Sequence, residues 1–166
     1  MRNIDLHVHS NYSDGSETTE ELVKLATKAN LAAFALTDHD TTDGYQSLSE
    51  AASRHNAGLP KDEQLEVLPG VEISAAYKSG DIHILGLLVE PDNDEFNALL
   101  KEAEKERIAR NIKMVENLKN AGLPISYDEI VAASPDSIIT RAHFGKYLVE
   151  KGIVKDYPSA FELYLG

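Results

Sequence analysis

The sequence predicts an α/β fold with parallel strands, helices outside, and reactive groups gathered at strand C-termini. Three observations predict it. Strand-like and helix-like segments alternate through the first half of the chain. Leu31 to Thr37 (LAAFALT) is a continuous apolar run, the mark of a strand buried on both faces. Imidazoles and carboxylates fall where strands should end, at His7-Val8-His9 and at Thr37-Asp38-His39-Asp40, which is where an α/β barrel builds its active site.

Ile4 to Val8 reads as the first strand, with alternate side chains leaving on the same face, so that His7 and His9 aim at one point while Leu6 and Val8 face a core. Thr18-Thr19-Glu20-Glu21 opens a helix, its acidic residues favourable to the helix dipole, with Leu22, Leu25, Ala26 and Ala29 at helical spacing. After the Leu31–Thr37 strand, Thr42-Asp43-Gly44 leads into a helix over about Tyr45 to His55, whose terminal histidine reads as a surface residue. Asn56 to Gln64 is a polar loop; Leu65–Leu68 and Val71–Ala75 are strand-like with a Pro69-Gly70 interruption, and Asp81 to Val89 is a further strand. Asp94 caps a long helix to about Ala121, with Ile108, Ile112, Val115 and Leu118 as its apolar stripe, stopped by Gly122 and Pro124. Ser126–Ala133, Arg141–Lys151 and Ser159–Leu165 read as three shorter helices. Composition shifts near Pro91-Asp92-Asn93, dividing a sheet-based part, residues 1–91, from a helical part, residues 92–166.

Composition narrows the chemistry. With 166 residues the chain can build one domain with a real core. It has no cysteine, hence no disulfide framework and no thiolate metal site, in keeping with a reducing cytoplasm. A formal net charge of −12 argues against non-specific binding of duplex nucleic acid, although divalent ions would reverse the sign locally. The N-terminus lacks an apolar signal core, and no uncharged apolar stretch is long enough to span a membrane.

The chemistry-bearing residues form a set. His7 and His9 project from one strand face; Asp14 follows in a Ser13-Asp14-Gly15 turn, close enough to fold back over the strand end; His39 sits at the next strand end. Glu72 lies within an apolar strand pattern, where a carboxylate is costly to bury unless paired or metal-bound, and His83 lies in the following strand. Imidazoles and carboxylates without sulfur favour zinc, manganese or iron, and point to a metal-dependent hydrolase. Arg141-Ala142-His143 opens a helix after a candidate cap, Thr140; a helix N-terminus with an arginine suits phosphate. Phosphate ester hydrolysis is the natural candidate, and amide or amidine hydrolysis uses similar ligands.

The order of these motifs resembles the polymerase and histidinol phosphatase (PHP) family. The matching pieces are Asp5-Leu6-His7-Val8-His9-Ser10 with Ser13-Asp14-Gly15, Leu36-Thr37-Asp38-His39-Asp40-Thr41, Pro69-Gly70-Val71-Glu72-Ile73-Ser74 and His83-Ile84-Leu85-Gly86. The stretch Thr140–Phe144 through Val149–Gly152 looks like the helical insertion of one branch, whose members are phosphoesterases of nucleoside monophosphates, 3′,5′-bisphosphates and short oligonucleotide ends. The resemblance implies a distorted (β/α)7 TIM-like barrel with two or three divalent ions (Mn, Zn or Fe). It implies one ion on His7, His9 and Glu72, a second on Glu72 and His83, and a third on Asp14 and His39. Arg141 and His143 would contact the phosphate of a small phosphorylated substrate, and a metal-bound hydroxide would attack phosphorus in line. The family draws further ligands from a later histidine and an Asp-x-His segment that this chain does not contain. The expectation is therefore an incomplete barrel, the N-terminal part with the helical insertion and without the closing strands, carrying a partial site. Two other roles compete: a histidinol-phosphate phosphatase, against which the Arg141 insertion argues, and a non-catalytic PHP scaffold module, against which the intact ligand set argues.

Overall fold

A computed structural model describes residues 2–77 and 80–166. Elements follow in the order β1 (Asn3–Val8), α1 (Thr19–Lys28), β2 (Leu31–Leu36), α2 (Gly44–Asn56), β3 (Glu66–Tyr77), β4 (Gly80–Leu87), α3 (Asp94–Asn120), α4 (Tyr127–Ala133), α5 (Arg141–Glu150) and α6 (Tyr157–Ala160), the last continuing into a π-helical turn over Phe161–Leu165. The chain divides into two compact units, Met1–Ala103 and Glu104–Gly166, and the division falls inside α3.

The first unit is built on a mixed sheet of order β1-β2-β3-β4. β1 pairs with β2 and β2 with β3 in parallel; β3 and β4 pair antiparallel. Parallel pairing is possible because each crossover carries a helix. Helix α1 begins with a capping box, Thr18 and Glu21 exchanging hydrogen bonds, which satisfies two of the amides a helix start leaves unpaired. Leu22, Val23 and Ala26 of α1 and Leu48, Ala51 and Ala52 of α2 pack with Phe34, Leu36 and Leu65 into one core. At the end of α2 the Asn56 carboxamide donates to Leu65 O at 2.8 Å and accepts from Leu65 N at 2.9 Å, closing the polar loop and delivering the chain into β3.

Four features differ from the sequence reading. First, β3 runs unbroken through Pro69-Gly70. Up to Pro69 it pairs with β2, and from Gly70 onward with β4. A proline without an amide donor is tolerated where a strand changes partner. Second, Val8 packs against the core, but Ile4 is 62% and Leu6 36% exposed. Among the described residues β1 has one strand neighbour, β2, so it is an edge and its outer side chains stay uncovered. Third, the buried stripe of α3 is Leu100, Arg107, Asn111, Val115 and Leu118, while Ile108 and Ile112 are exposed. Fourth, Asn93 rather than Asp94 caps this helix: the Phe96 amide donates to Asn93 Oδ1 at 2.9 Å.

The second unit is helical. Val115, Leu118, Leu123, Ile125, Ile130 and Ile139 pack around Phe144 and Leu148 of α5, with Ala160 and Leu165 from the chain end. Thr140 caps α5, accepting from the Ala142 amide at 3.2 Å.

Candidate metal centre

The side chains of interest leave from strand ends in the first unit. His7 is the penultimate residue of β1, and His9 follows just past that strand. Beyond the end of β2 the pairing with β3 continues for one more step. The Glu72 amide donates to Asp38 O at 3.1 Å and the Asp40 amide to Glu72 O at 3.0 Å, so that His39 bridges Glu72 in parallel register. Asp40 takes a left-handed backbone conformation, φ 52°, and its Oδ1 accepts from the Ser74 amide at 3.0 Å. Across β3 and β4, Glu72 opposes Leu85 and Ser74 opposes His83, which makes Glu72 and His83 diagonal neighbours on one face of the ladder.

These constraints gather five side chains about Glu72. Its Oε2 lies 2.9 Å from His7 Nε2, 2.8 Å from His9 Nε2 and 3.7 Å from His39 Nδ1; its Oε1 lies 2.5 Å from His83 Nδ1. Asp14 faces His9 Nδ1 with one oxygen at 3.1 Å and His39 Nε2 with the other at 3.3 Å. The Glu72 side chain is 5% exposed, those of His7 and His83 50% and 40%, so a buried carboxylate sits at the centre of a rim of accessible imidazoles. The expected residues His7, His9, Asp14, His39, Glu72 and His83 are thus brought together. Arg141 and His143 lie on the first turn of α5 in the helical unit, where His143 Nδ1 accepts from the Thr140 amide at 3.1 Å. That bond makes the His143 ring part of the helix cap.

Electrostatics tie the cluster together. Burial disfavours charge on His9, but the hydrogen bond and charge of Asp14, with Glu72 and Asp38 behind, outweigh it and raise the imidazole pKa. Asp14 is shifted the other way: burial opposes ionisation, and the hydrogen bonds and charges of His39 and His9 hold it well below the usual carboxylate range. Glu72 is likewise lowered against its burial, by His7, His39, His83 and His9. Asp38 is the exception. Its burial outweighs the hydrogen bonds from Ser10 and Ser13, and its pKa is raised.

The cluster fits divalent cations. Three groups of donors have ligand atoms within 4.8 Å of one another: His7, His9 and Glu72; His9, Asp14 and His39; and His39, Glu72 and His83. His39 Nδ1 is buried without a hydrogen-bond partner, an unusual state for a ring nitrogen unless a further electrophile completes it. The two Glu72 oxygens are divided, Oε2 toward His7 and His9 and Oε1 toward His83, as a carboxylate serving two ions would be. Two residues here had no assigned role in the sequence reading, Asp38 and Asp40. Their one signal in sequence is that each flanks His39 at the end of an apolar strand.

A mixed α/β sheet with nitrogen and oxygen donors at its strand ends defines the class of barrel-type sheets that can hold divalent cations there. Within that class the chain belongs to the PHP domain family, whose model matches residues 5–165. It is 37% identical over 166 residues to a 3′,5′-nucleoside bisphosphate phosphatase of Chromobacterium violaceum, covering 99% of this chain and 55% of that protein. It is 36% identical over 165 residues to a 5′-3′ exoribonuclease of Haemophilus influenzae, covering 99% of this chain and 57% of that one. The solved structure of an amidohydrolase from Chromobacterium violaceum, with bound sulfate and no metal, superposes with a TM-score of 0.86 at 35% identity over 99% of this chain and 55% of its own. The chain spans a little over half the length of these relatives.

Proposed function

We propose that this chain is the metal-holding and phosphate-contacting part of a phosphoesterase that hydrolyses a small nucleotide-like ester: a nucleoside monophosphate, a 3′,5′-bisphosphate or a short oligonucleotide end. The observation that carries this reading is the division of the Glu72 carboxylate between the His7–His9 pair and His83. Two or three divalent ions, manganese, zinc or iron, would be held by these residues: His7, His9 and Glu72 for one, Glu72 and His83 for a second, Asp14 and His39 for a third. Bound there, such ions supply Lewis acidity and positive charge to the oxygens of a phosphoryl group. Asp14 Oδ1, 3.1 Å from His9 Nδ1, would accept that nitrogen's proton while Nε2, beside Glu72 Oε2, serves the ion. Arg141, at the start of α5, contacts substrate phosphate as a bidentate donor, and His143 keeps that helix start in shape. The lack of cysteine supports a reducing compartment, and the cytoplasm is the location we assign. Among the described residues no helix is long and apolar enough to cross a membrane.

The test is phosphate release from a panel of nucleoside monophosphates, 3′,5′-bisphosphates and short oligonucleotides, with manganese or zinc added, beside elemental analysis of the purified protein. Release from histidinol phosphate alone would favour the amino-acid pathway, and metal-free protein inert on every compound would favour a scaffold. Arg141→Ala is expected to raise KM roughly 10- to 100-fold, the loss of a charge-assisted pair, with a smaller change in kcat. Arg141→Lys restores little, because an ammonium lacks the planar fork. An unchanged KM in Arg141→Ala removes this residue from the substrate site.

Acid weakens metal binding with a defined sign. A ligand imidazole must be neutral, and Asp14 and Glu72 hold the proton on His9 more tightly than in a free histidine. Manganese affinity is therefore expected to fall as pH drops through the raised His9 pKa, with the decline beginning above the ordinary imidazole value of 6.5. Calorimetric titrations at a series of pH values check this; a flat profile from about pH 8 to 6 excludes His9 as a ligand.

A further inference from the structure

Asp38 supplies no ligand atom to any of the three donor groups, yet its side chain is as thoroughly buried as any carboxylate in the first unit, at 1% exposure. A carboxylate is costly to bury, and among the described residues no cation forms an ion pair with this one, the His9 imidazole acting on it through charge without a hydrogen bond. Its partners are neutral donors from one short loop: Ser10 N at 2.8 Å and Ser13 Oγ at 2.6 Å on Oδ1, and Ser10 Oγ at 2.6 Å on Oδ2. Both serines are themselves buried.

That loop has one evident content. It begins just after His9 and contains Asp14, and it is wound tightly, the amides of Ser13 and Gly15 both donating to Ser10 O at 3.1 and 3.0 Å. Ser13 Oγ also lies 3.3 Å from His9 Nδ1, the nitrogen that Asp14 approaches at 3.1 Å. Asp38 is covalently joined to His39, whose Nε2 meets the second Asp14 oxygen at 3.3 Å. The carboxylate therefore fastens the loop bearing His9 and Asp14 to the segment bearing His39. By contrast, Glu72 is held to the same segment by backbone bonds through Asp38 O and Asp40 N, reinforced where Asp40 Oδ1 accepts from the Ser74 amide, without the Asp38 carboxylate.

We propose that Asp38 is a positioning residue: through Ser10 and Ser13 it sets where Asp14 stands against His39, and thereby the affinity of the ion assigned to that pair, while backbone bonds keep Glu72 beside the His39 segment without it. The proposal rests on the metal-centre reading above. A buried carboxylate that merely stabilises the fold would lower the melting temperature and leave the affinity of the folded protein unchanged.

The experiment is calorimetric titration of the purified chain with Mn²⁺ and with Zn²⁺, alongside hydrogen exchange at the Ser10 amide. Asp38→Asn is expected to weaken the binding step assigned to Asp14 and His39 roughly tenfold or more, to spare the tighter remaining uptake, and to speed exchange at Ser10. Ser13→Ala, which keeps Asp38 and removes a single donor, is expected to weaken the same step several-fold, and the double variant to bind no worse than Asp38→Asn, since both changes cut one connection. Leu48→Ala, a core truncation away from the loop, is the control: it lowers the melting temperature and keeps the affinity. Wild-type affinity in either Asp38→Asn or Ser13→Ala overturns the proposal, as does a loss in Leu48→Ala equal to that in Asp38→Asn. If the wild-type chain takes up neither cation, the metal-centre reading itself falls, and this inference with it.

Discussion

Replacing Glu72 by glutamine is expected to reduce divalent-metal affinity, and any phosphoester hydrolysis that depends on it, by about 100-fold or more. The side chains are nearly the same size, so the core barely notices. What changes is the donor set at the centre of the cluster. Glutamine carries no charge, and one of its two terminal groups is an NH₂ that can only donate. The two Glu72 oxygens face different imidazoles, Oε2 toward His7 and His9 and Oε1 toward His83, so either orientation of the amide turns a donor on one of those sides. The loss also has a readout independent of turnover. A cation that binds only the folded protein at a hundredfold excess over its Kd adds about 2.7 kcal/mol, roughly 5–10 °C in melting temperature for a chain of this size. Wild-type protein is expected to show that rise on addition of Zn²⁺ or Mn²⁺, and Glu72→Gln little of it. The metal-free proteins differ with pH in a sign fixed by the lowered pKa of Glu72. A depressed carboxylate contributes stability above its unfolded pKa, near 4.5, and loses it as pH falls through the folded value. The wild-type advantage over Glu72→Gln should therefore be present above that point and shrink in stronger acid. Equal metal uptake by both proteins removes Glu72 from the centre of the site.

The convergence of His7, His9, Asp14, His39, Glu72 and His83 was legible in the sequence because strand periodicity and strand ends are local properties. A period of two puts His7 and His9 on one face, and an apolar run that stops at Thr37 announces where the next loop will present its histidine. What escaped depends on partners distant in the chain. Pro69-Gly70 looks like a break in any window of ten residues; only the exchange of β2 for β4 as the ladder neighbour lets the strand pass through it. Leu6 and Val8 have equivalent alternating positions, and the exposure of Leu6 follows from β1 having a single strand neighbour among the described residues. The buried stripe of α3 contains Arg107 and Asn111, so a rule that seeks apolar spacing finds Ile108 and Ile112 instead and rotates the helix. Asn111 is buried because its Nδ2 donates to Ile139 O at 2.8 Å, a partner 28 residues on. Asp38 went without a role for the same reason: the serines that bind it also lie 28 and 25 residues away.

Gly15→Ala is expected to damage stability and site together, and it is the substitution for which the steric argument is sharpest. A Cβ built on Gly15 would lie 2.3 Å from His9 O, 2.5 Å from His9 C and 2.8 Å from Ser10 C. All three atoms belong to backbone, so no side-chain rotation relieves the overlap. The neighbouring chain is also pinned: Gly15 N donates to Ser10 O, Ser10 N donates to Asp38, and Thr37 N donates to Val8 O. Relief must come from opening the Ser10–Gly15 loop, at a cost of about 1–3 kcal/mol or somewhat more, which is the usual range for forced overpacking. Opening the loop moves Asp14 away from His9 and His39, which it meets at 3.1 and 3.3 Å. The expected result is a melting temperature lowered by several degrees, and metal affinity lowered roughly tenfold or more even well below that temperature. Gly58 provides the comparison. Its φ of +82° makes alanine strained there too, but a Cβ meets nothing within 4 Å, and it sits in the loop closed by Asn56 and Leu65 rather than at the metal cluster. Gly58→Ala should therefore cost stability of order 1 kcal/mol and leave metal binding alone. If the two variants bind metal equally well, the tight turn after His9 serves the fold and not the site, and the sequence pattern Ser13-Asp14-Gly15 loses its functional meaning.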